Sequence, residues 1–249
     1  MSDRFNGKAN VYWKYRPSYP KEYIDYLVKE NNLNKDSLIF DVGAGTGILT
    51  EILAKRGLSV TAVEPNLDMA VFIKDLTKKY TNLKFINSLA EDINYSKRDV
   101  DLITVAQAFH WFNADKFKCQ CKNILKDSGR VVLLWNVRDE SDGIIKESFD
   151  ISKRLCKKFQ GFSGGIGDNI DNIKSFFKNG KYAYTEFENN LEYDLEMFIG
   201  RNISASYAPN REDENYKIFI DELIELFNKY KKDEKVIIKN KVKSYIGAV

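Results

Sequence analysis

The chain has 249 residues, of which 43% are hydrophobic and 30% charged, and its formal net charge at pH 7 is +3. This length predicts one domain, 1–249, with one substantial core. Lysine-rich runs are interleaved with acidic residues, which argues against the concentrated basic surface of a nucleic-acid-binding protein. The N-terminus lacks a signal-like apolar segment and no window is long enough to span a membrane, so we expect a cytoplasmic protein without a membrane partner.

Cysteine and histidine usage narrows the possible chemistry. The three cysteines, Cys119, Cys121 and Cys156, form no Cys-x-x-Cys pair, so we expect neither disulfides nor structural zinc. His110 is the only histidine of the sequence. Metal sites that need two or three histidines are therefore excluded, and we expect no metal. A Ser-His-Asp or Cys-His hydrolase would have to use this one imidazole.

The first 135 residues predict strands that alternate with helices. Residues 1–20 end in Arg16-Pro17-Ser18-Tyr19-Pro20, where the prolines favour an extended or turn conformation before a helix. Strands are predicted at 37–42, 59–63, 83–86, 100–106 and 130–135. Helices are predicted at 47–56, 66–80 and 113–125. Asn66 and Asn113 are the expected N-caps of the last two helices. This alternation predicts a Rossmann-like, doubly wound α/β fold with a mostly parallel sheet.

The pattern changes after Trp135. We expect one or two helices within 138–180, a strand at 183–193, helices at 195–202 and 214–230, and a last strand at 236–245. We interpret 138–180 as a helical cap inserted over the site. The tail would form an antiparallel hairpin that completes a seven-stranded sheet.

A glycine-rich loop follows the first predicted strand and opens a helix. Gly43, Gly45 and Gly47 allow a sharp turn and a close approach of a ligand to the backbone and to the N-terminus of the helix. Glu64 ends the next predicted strand, where nucleotide-binding α/β folds place an acid that accepts hydrogen bonds from ribose hydroxyls. The alternative is a surface glycine turn and a helix-capping acid.

The residues around the loop favour one nucleotide ligand over another. The dinucleotide pattern is Gly-x-Gly-x-x-Gly, but here the third glycine comes one position early. Asp41 stands two residues before the first glycine, and its carboxylate would repel a pyrophosphate. A carboxylate there suits a ligand with an ammonium or sulfonium group, which favours S-adenosylmethionine (SAM).

Several motifs together resemble those of a known family. Asp41–Gly47, Val63-Glu64-Pro65 and Ala90-Glu91-Asp92 resemble the first motifs of class I SAM-dependent methyltransferases. Two further stretches, 12–20 and 106–112, resemble the Tyr-x-x-x-Arg-Pro-x-Tyr-Pro and Gln-Ala-x-His-Trp motifs of a small-molecule subgroup. That subgroup, of methyltransferase type 11, includes proteins similar to trans-aconitate methyltransferases. The resemblance covers about residues 5–136 well and the remainder only in outline.

The resemblance implies roles for individual residues. Those implied to bind the cofactor are Arg16, Asp41, Gly43, Ala44, Gly45, Gly47, Glu64, Asn66, Leu67, Ala90, Glu91 and Gln107. Among them, Asp41 would lie near the methionine amino group, and Arg16 would pair with the SAM carboxylate and close an N-terminal lid, 1–20. His110 and Tyr19 are the candidate catalytic residues. Tyr12, Trp111, Arg201 and Tyr207 are the candidate substrate contacts.

The function expected on these grounds is SAM-dependent methyl transfer to a small-molecule acceptor by in-line displacement. A carboxylate acceptor needs no general base, whereas a hydroxyl or amine could need one. Two alternatives remain open, a nicotinamide-dependent oxidoreductase and a SAM-binding protein without catalysis. We expect no nucleic-acid partner, and a monomer or homodimer.

Overall fold

The computed structural model describes residues 9–162 and 170–249, apart from the side chains of residues 10–12. Its helices are α1 Ala9–Tyr15, α2 Lys21–Glu30, α3 Ile48–Lys55, α4 Leu67–Lys79, α5 Ala114–Ile124, α6 Gly143–Leu155, α7 Ile170–Phe176, α8 Leu195–Ile203 and α9 Tyr216–Tyr230. Its strands are β1 Leu38–Val42, β2 Ser59–Val63, β3 Leu83–Ile86, β4 Val100–Ala106, β5 Leu125–Arg138, β6 Ala183–Glu188, β7 Leu191–Tyr193, β8 Val236–Ile238 and β9 Asn240–Gly247. Short 3-10 helices lie at Phe109–Trp111 and Lys178–Gly180.

Seven strands form one sheet in the order β3-β2-β1-β4-β5-β9-β6. The first five strands of this order are parallel to one another. Strand β9 runs antiparallel to β5, and β6 runs antiparallel to β9. The predicted Rossmann-like sheet of seven strands with an antiparallel C-terminal pair is confirmed.

Helices cover both faces of the sheet and bury its apolar residues. On one face α2, α3 and α4 contribute Tyr23, Leu53 and Ile73 to the core. On the other face α5 and α7 contribute Phe117 and Phe176, whose rings are stacked with centroids 5.7 Å apart. Burial on both faces explains why the central strands read as continuous apolar runs rather than as alternating ones.

The predicted N-caps are present. The Asn66 side chain accepts a hydrogen bond from the Met69 N–H at the start of α4. The Asn113 side chain accepts one from the Lys116 N–H at the start of α5. Each cap satisfies one of the backbone donors that a helix N-terminus leaves unpaired. Helix α1 was not predicted; Tyr15 at its end lies against Gly200 of α8.

The C-terminal half differs from the prediction in two strands. The predicted strand at 183–193 is divided into β6 and β7, and the predicted strand at 236–245 is divided into β8 and β9. Strands β7 and β8 pair with each other in a separate two-stranded sheet. The break has a local cause, since the Asn190 side chain accepts a hydrogen bond from the Asn240 N–H. A side chain thus takes the place of a strand partner at the point where both strands change sheet.

The cap also has different bounds from the predicted 138–180. A third core cluster joins α6 to α8, α9, β7 and β8, with Phe219, Leu223 and Phe227 of α9 at its centre. Helix α7, which falls within 138–180, contacts α5 at the sheet instead. The cap is therefore α6 together with 191–238, because the amphipathic helix α9 buries its apolar face against α6 and α8. No helix within the described residues is long and apolar enough to cross a membrane.

Candidate active site

A cavity of about 1010 Å³ lies at the carboxyl ends of the parallel strands. Its walls come mainly from the segments that follow β1, β2, β3 and β4, from the end of β5 and the residues after it, from the end of α8 and from the segment that follows α1. Parallel α/β sheets characteristically bind ligands at this edge. The size is at the upper end of the usual range for ligand pockets.

The loop after β1 forms the cavity wall through its backbone. Gly43, Gly45 and Gly47 all have positive φ angles, of 70°, 59° and 83°. Residues other than glycine rarely adopt this backbone conformation. A Cβ on Gly43 would lie 2.5 Å from the Cβ of Ala108. A Cβ on Gly45 would enter open space, with nothing within 4 Å. Gly43 thus permits close packing of two loops, whereas Gly45 leaves space beside the cavity for a ligand.

Glu64 is held at the cavity wall by backbone donors. Its two carboxylate oxygens accept hydrogen bonds of 2.8 Å, one from the Gly45 N–H and one from the Asn66 N–H. Burial raises the pKa of Glu64 above its ordinary value, and the nearby Asp41 carboxylate adds to this effect. A carboxylate has about four acceptor positions, so two positions remain for donors such as ribose hydroxyls.

Asp41 lies inside the sheet rather than on the cavity surface. It is 1% exposed, and its two oxygens accept hydrogen bonds from the hydroxyls of Thr50 at 2.5 Å and Thr104 at 2.8 Å. Burial raises the pKa of Asp41 to about 6, although both threonines counteract this. The expected contact with a methionine amino group is thus not presented at the cavity wall, because Asp41 is buried behind it and does not line the cavity.

The segment after β4 combines strained backbone with an unpaired polar atom. Gln107 has a φ of 59°, and its side chain donates a hydrogen bond to the Asn136 carbonyl at 3.2 Å. A non-glycine residue in this region costs energy and is often found at functional sites. The Nδ1 atom of His110 is buried without a hydrogen-bond partner in the described part of the chain. Burial lowers the pKa of His110 to about 4, so its imidazole is neutral at pH 7.

Comparisons with known proteins agree with this geometry. Residues 40–133, which include the glycine loop and β1 to β5 as far as Leu133, match the family model described as a methyltransferase domain. An uncharacterized methyltransferase of Mycobacterium tuberculosis is 36% identical over 154 residues, which are 62% of this chain and 60% of that protein. Residues 40–133 of the chain therefore have the sequence pattern of a methyltransferase domain. The chain's match thus spans about three fifths of that relative's length.

Solved structures share the fold of this chain. A protein of Anaeromyxobacter dehalogenans assigned as a type II methyltransferase has a TM-score of 0.68 at 15% identity, covering 94% of this chain and 97% of its own. A phosphoethanolamine N-methyltransferase of Haemonchus contortus, solved with phosphomonomethylethanolamine and S-adenosylhomocysteine, has a TM-score of 0.56 at 13% identity. That match covers 100% of this chain and 60% of the Haemonchus chain. The aconitate-like subgroup stays a prediction.

The cavity gathers most of the residues singled out in the sequence. Those that line it are Arg16, Tyr19, Gly43, Ala44, Gly45, Glu64, Asn66, Ala90, Glu91, Gln107, His110, Trp111, Arg201 and Tyr207. Three do not: Asp41 is buried inside the sheet, Gly47 packs toward Leu76 of α4, and Leu67 is 58% exposed on the surface. The Tyr12 side chain lies outside the described part of the structure, as do residues 163–167 of the glycine-rich stretch.

Sequence reasoning missed Arg138, which also lines the cavity. Burial and the positive charges of Arg201 and Arg16 lower its pKa to about 10. Arg138 is the last residue of β5, which the sequence analysis ended at Trp135. Alternation along a strand places Asn136 and Arg138 on the same side, so extending that strand would have pointed both side chains toward the site.

Proposed function

We propose that this chain transfers the methyl group of SAM to a small-molecule acceptor, with a carboxylate or hydroxyl as the methylated group. The observation that carries the proposal is one cavity lined by both acidic and basic side chains. Glu64, near the buried Asp41, lines what we call the acidic end, and Arg138 and Arg201 line what we call the basic end, where the charge of Arg138 interacts with those of Arg201 and Arg16. A ligand with cationic groups suits the first end, and an anionic group suits the second.

The residues present fit SAM at the acidic end. Glu64 would hold the ribose, since it keeps unused acceptor positions beside the Gly45 backbone. Asn66, Ala90 and Glu91 would surround the adenine. Gln107 would lie beside the methionine part, and Arg16 would pair with its carboxylate, because an arginine fork matches a carboxylate. Asp41 would act at a distance in two ways. Its negative charge would attract the cationic cofactor, and its hydrogen bond from Thr50 would hold the helix that follows the glycine-rich loop.

When bound, SAM supplies an activated methyl group on a positively charged sulfur. The bond from an acceptor oxygen to the methyl carbon forms as the carbon–sulfur bond breaks, and its electron pair stays on sulfur in S-adenosylhomocysteine (SAH). The chain's own residues then have to align the acceptor and exclude water. Tyr19, Trp111 and Tyr207 line the cavity where such an acceptor would be held.

The role of a base depends on the acceptor. A carboxylate acceptor is already deprotonated at pH 7, so no residue needs to remove a proton. A hydroxyl acceptor releases a proton during the transfer, and His110, which lines the cavity and is neutral at pH 7, would be the residue to accept it. Its lowered pKa makes it a weak base, which favours the carboxylate as the methylated group.

Methyl transfer is tested with methyl-labelled SAM and separate pools of small carboxylic acids, alcohols and amines. The proposal predicts label in an acid or a hydroxyl compound, with one SAH formed for each methyl transferred. With a carboxylate acceptor, His110→Gln should change kcat less than about threefold, whereas a hydroxyl acceptor should lose 10²-fold or more. Binding of SAM without transfer to any pool would favour the non-catalytic SAM-binding alternative.

A further inference from the structure

Two arginines from distant parts of the chain converge at the cap end of the cavity. Arg138 ends β5 and Arg201 lies in α8, and both line the main cavity as well as a small neighbouring one bordered by Tyr193 and Asn240. Arg16 joins them from the segment after α1, where it donates a hydrogen bond to the Ser204 carbonyl at 3.2 Å. Three guanidinium groups therefore share one region of the site.

This arrangement is electrostatically unfavourable without a ligand. Burial lowers the pKa of Arg138, and the positive charges of Arg201 and Arg16 lower it further, whereas Tyr207 and Tyr193 act in the opposite direction. The ion pairs observed within the described residues involve neither Arg138 nor Arg201. By contrast, Lys241, at the same cavity, pairs with Glu186 at 3.0 Å.

The orientation of Arg138 leaves its donors usable. Its guanidinium carbon lies 4.2 Å from the centroid of the Phe162 ring, a distance typical of a cation–π contact. The N–H groups of a guanidinium lie in its plane, in a fork that matches two oxygens of a carboxylate or a phosphate. Phe162 can therefore support Arg138 without occupying all of these donors.

The position of Arg138 along β5 indicates where an anionic group of the acceptor would lie relative to the cofactor. Gln107, assigned to the methionine part of the cofactor, contacts the Asn136 carbonyl. Arg138 is two residues further along β5, which corresponds to roughly 7 Å of strand. With Gln107 beside the methionine part, an oxyanion at Arg138 would be held further along β5 than the cofactor, which makes it a different group from the one that is methylated.

We propose that Arg138 and Arg201 together form a binding site for an oxyanion, carboxylate or phosphate, on the acceptor, separate from the atom that receives the methyl. This inference deepens the proposed methyl transfer and rests on it. It assigns the acceptor to the small molecules that carry an anionic group in addition to the methylated oxygen. Arg138 and Arg201 become specificity-determining residues.

The test is a calorimetric titration of the protein saturated with SAH, so that the cofactor end is filled. The probes are glutarate, inorganic phosphate and the neutral glutaramide. We expect glutarate or phosphate to bind and glutaramide not to bind; which anion binds more tightly distinguishes a carboxylate site from a phosphate site. Arg138→Gln and Arg201→Gln should each weaken anion binding at least tenfold, and Arg138→Lys should restore it only in part, because lysine lacks the fork.

The controls separate this inference from the proposed function. Arg98→Gln removes an equal charge from an exposed position and should leave anion binding unchanged. SAH affinity should be unchanged in all four variants, which also shows that they fold. Failure of the wild-type protein to bind SAH would contradict the proposed function itself. Three outcomes would overturn this inference alone. The wild-type protein could bind SAH but no anion, or the arginine variants could bind the anion as tightly as the wild-type protein. The third outcome is a loss of SAH affinity in Arg138→Gln.

Discussion

At the scale of single residues, the unusual feature is a pair of buried acids. Asp41 and Glu64 are each less than 10% exposed, and their carboxylates lie close enough for Asp41 to raise the pKa of Glu64. Burying carboxylates costs free energy that hydrogen bonds only partly offset. A ligand that brings positive charge and hydroxyl donors would compensate for this cost, which is consistent with the proposed cofactor.

Asp41 should make the stability of the ligand-free protein depend on pH. Its pKa is raised from 3.8 to about 6, so the folded protein keeps a proton that the unfolded chain releases. The free energy of unfolding should therefore fall as pH rises from about 4 to about 6, by as much as about 3 kcal/mol. Asp41→Asn should remove this part of the decrease and leave the part that the raised pKa of Glu64 contributes. Urea unfolding at intervals between pH 4 and 7 measures it.

The matched control is Asp127→Asn, which removes a carboxylate that is almost fully exposed. It should keep the pH dependence of the wild-type protein. The difference in the free energy of unfolding between the wild-type protein and Asp41→Asn should change between pH 4 and pH 7. An equal difference at both pH values would contradict the raised pKa of Asp41.

At the scale of elements, two glycines with similar backbone angles lie in different places. Gly45 lies in the loop at the cavity, and Gly57 follows the end of α3. Their φ angles are 59° and 78°, and an added Cβ would have nothing within 4 Å at either position. Substitution of either glycine by alanine should therefore lower the free energy of unfolding by about 1–2 kcal/mol, because alanine is strained in the left-handed conformation. Only Gly45→Ala places a methyl group in the proposed cofactor site, so only it should weaken SAH binding, by at least tenfold.

Calorimetry with SAH and urea unfolding of both variants check this prediction. Gly43→Ala is a third case, because its Cβ would lie 2.5 Å from that of Ala108; it should lose more stability than either of the others. Equal SAH affinity in the Gly45→Ala and Gly57→Ala variants would show that the loop does not approach the cofactor.

The N-terminal elements could be predicted because their signals are local. Strand β2 and strand β4 have the predicted bounds, and the caps Asn66 and Asn113 mark the starts of α4 and α5. Parallel strands with intervening helices give each segment its own periodicity. The placement of Glu64 at the cavity likewise follows from its position at the end of a strand.

The C-terminal elements could not be predicted because their partners are distant in sequence. Strand β9 pairs with β6, and β7 pairs with β8, across the helices α8 and α9. Asn190 and Asn240 mark the break between the two sheets, but asparagine in an apparent strand gives no sign of which partner is lost. For the same reason the end of β5, and with it Arg138, was missed, since its last residues pair with β9.

At the scale of the whole molecule, the fold separates two tasks. The sheet edge supplies the loops at the acidic end of the cavity, and the cap supplies Arg201 and Tyr207 at the other end. Helix α1 connects to the cap through an ion pair between Lys14 and Glu196. The proposed acceptor contacts thus come partly from the cap, and there we expect enzymes that share this fold to differ in specificity.

The central claim is that the acidic end of the cavity binds SAM through Glu64. The most direct test is calorimetric titration of the wild-type, Glu64→Gln and Glu192→Gln proteins with SAM, SAH and NADH; Glu192 is an exposed control. We predict micromolar binding of SAM and SAH by the wild-type and control proteins, and binding weakened about 10- to 100-fold in Glu64→Gln, because a charged acceptor is lost. Binding of NADH instead, binding of none of the three, or equal SAM affinity in Glu64→Gln would contradict the account.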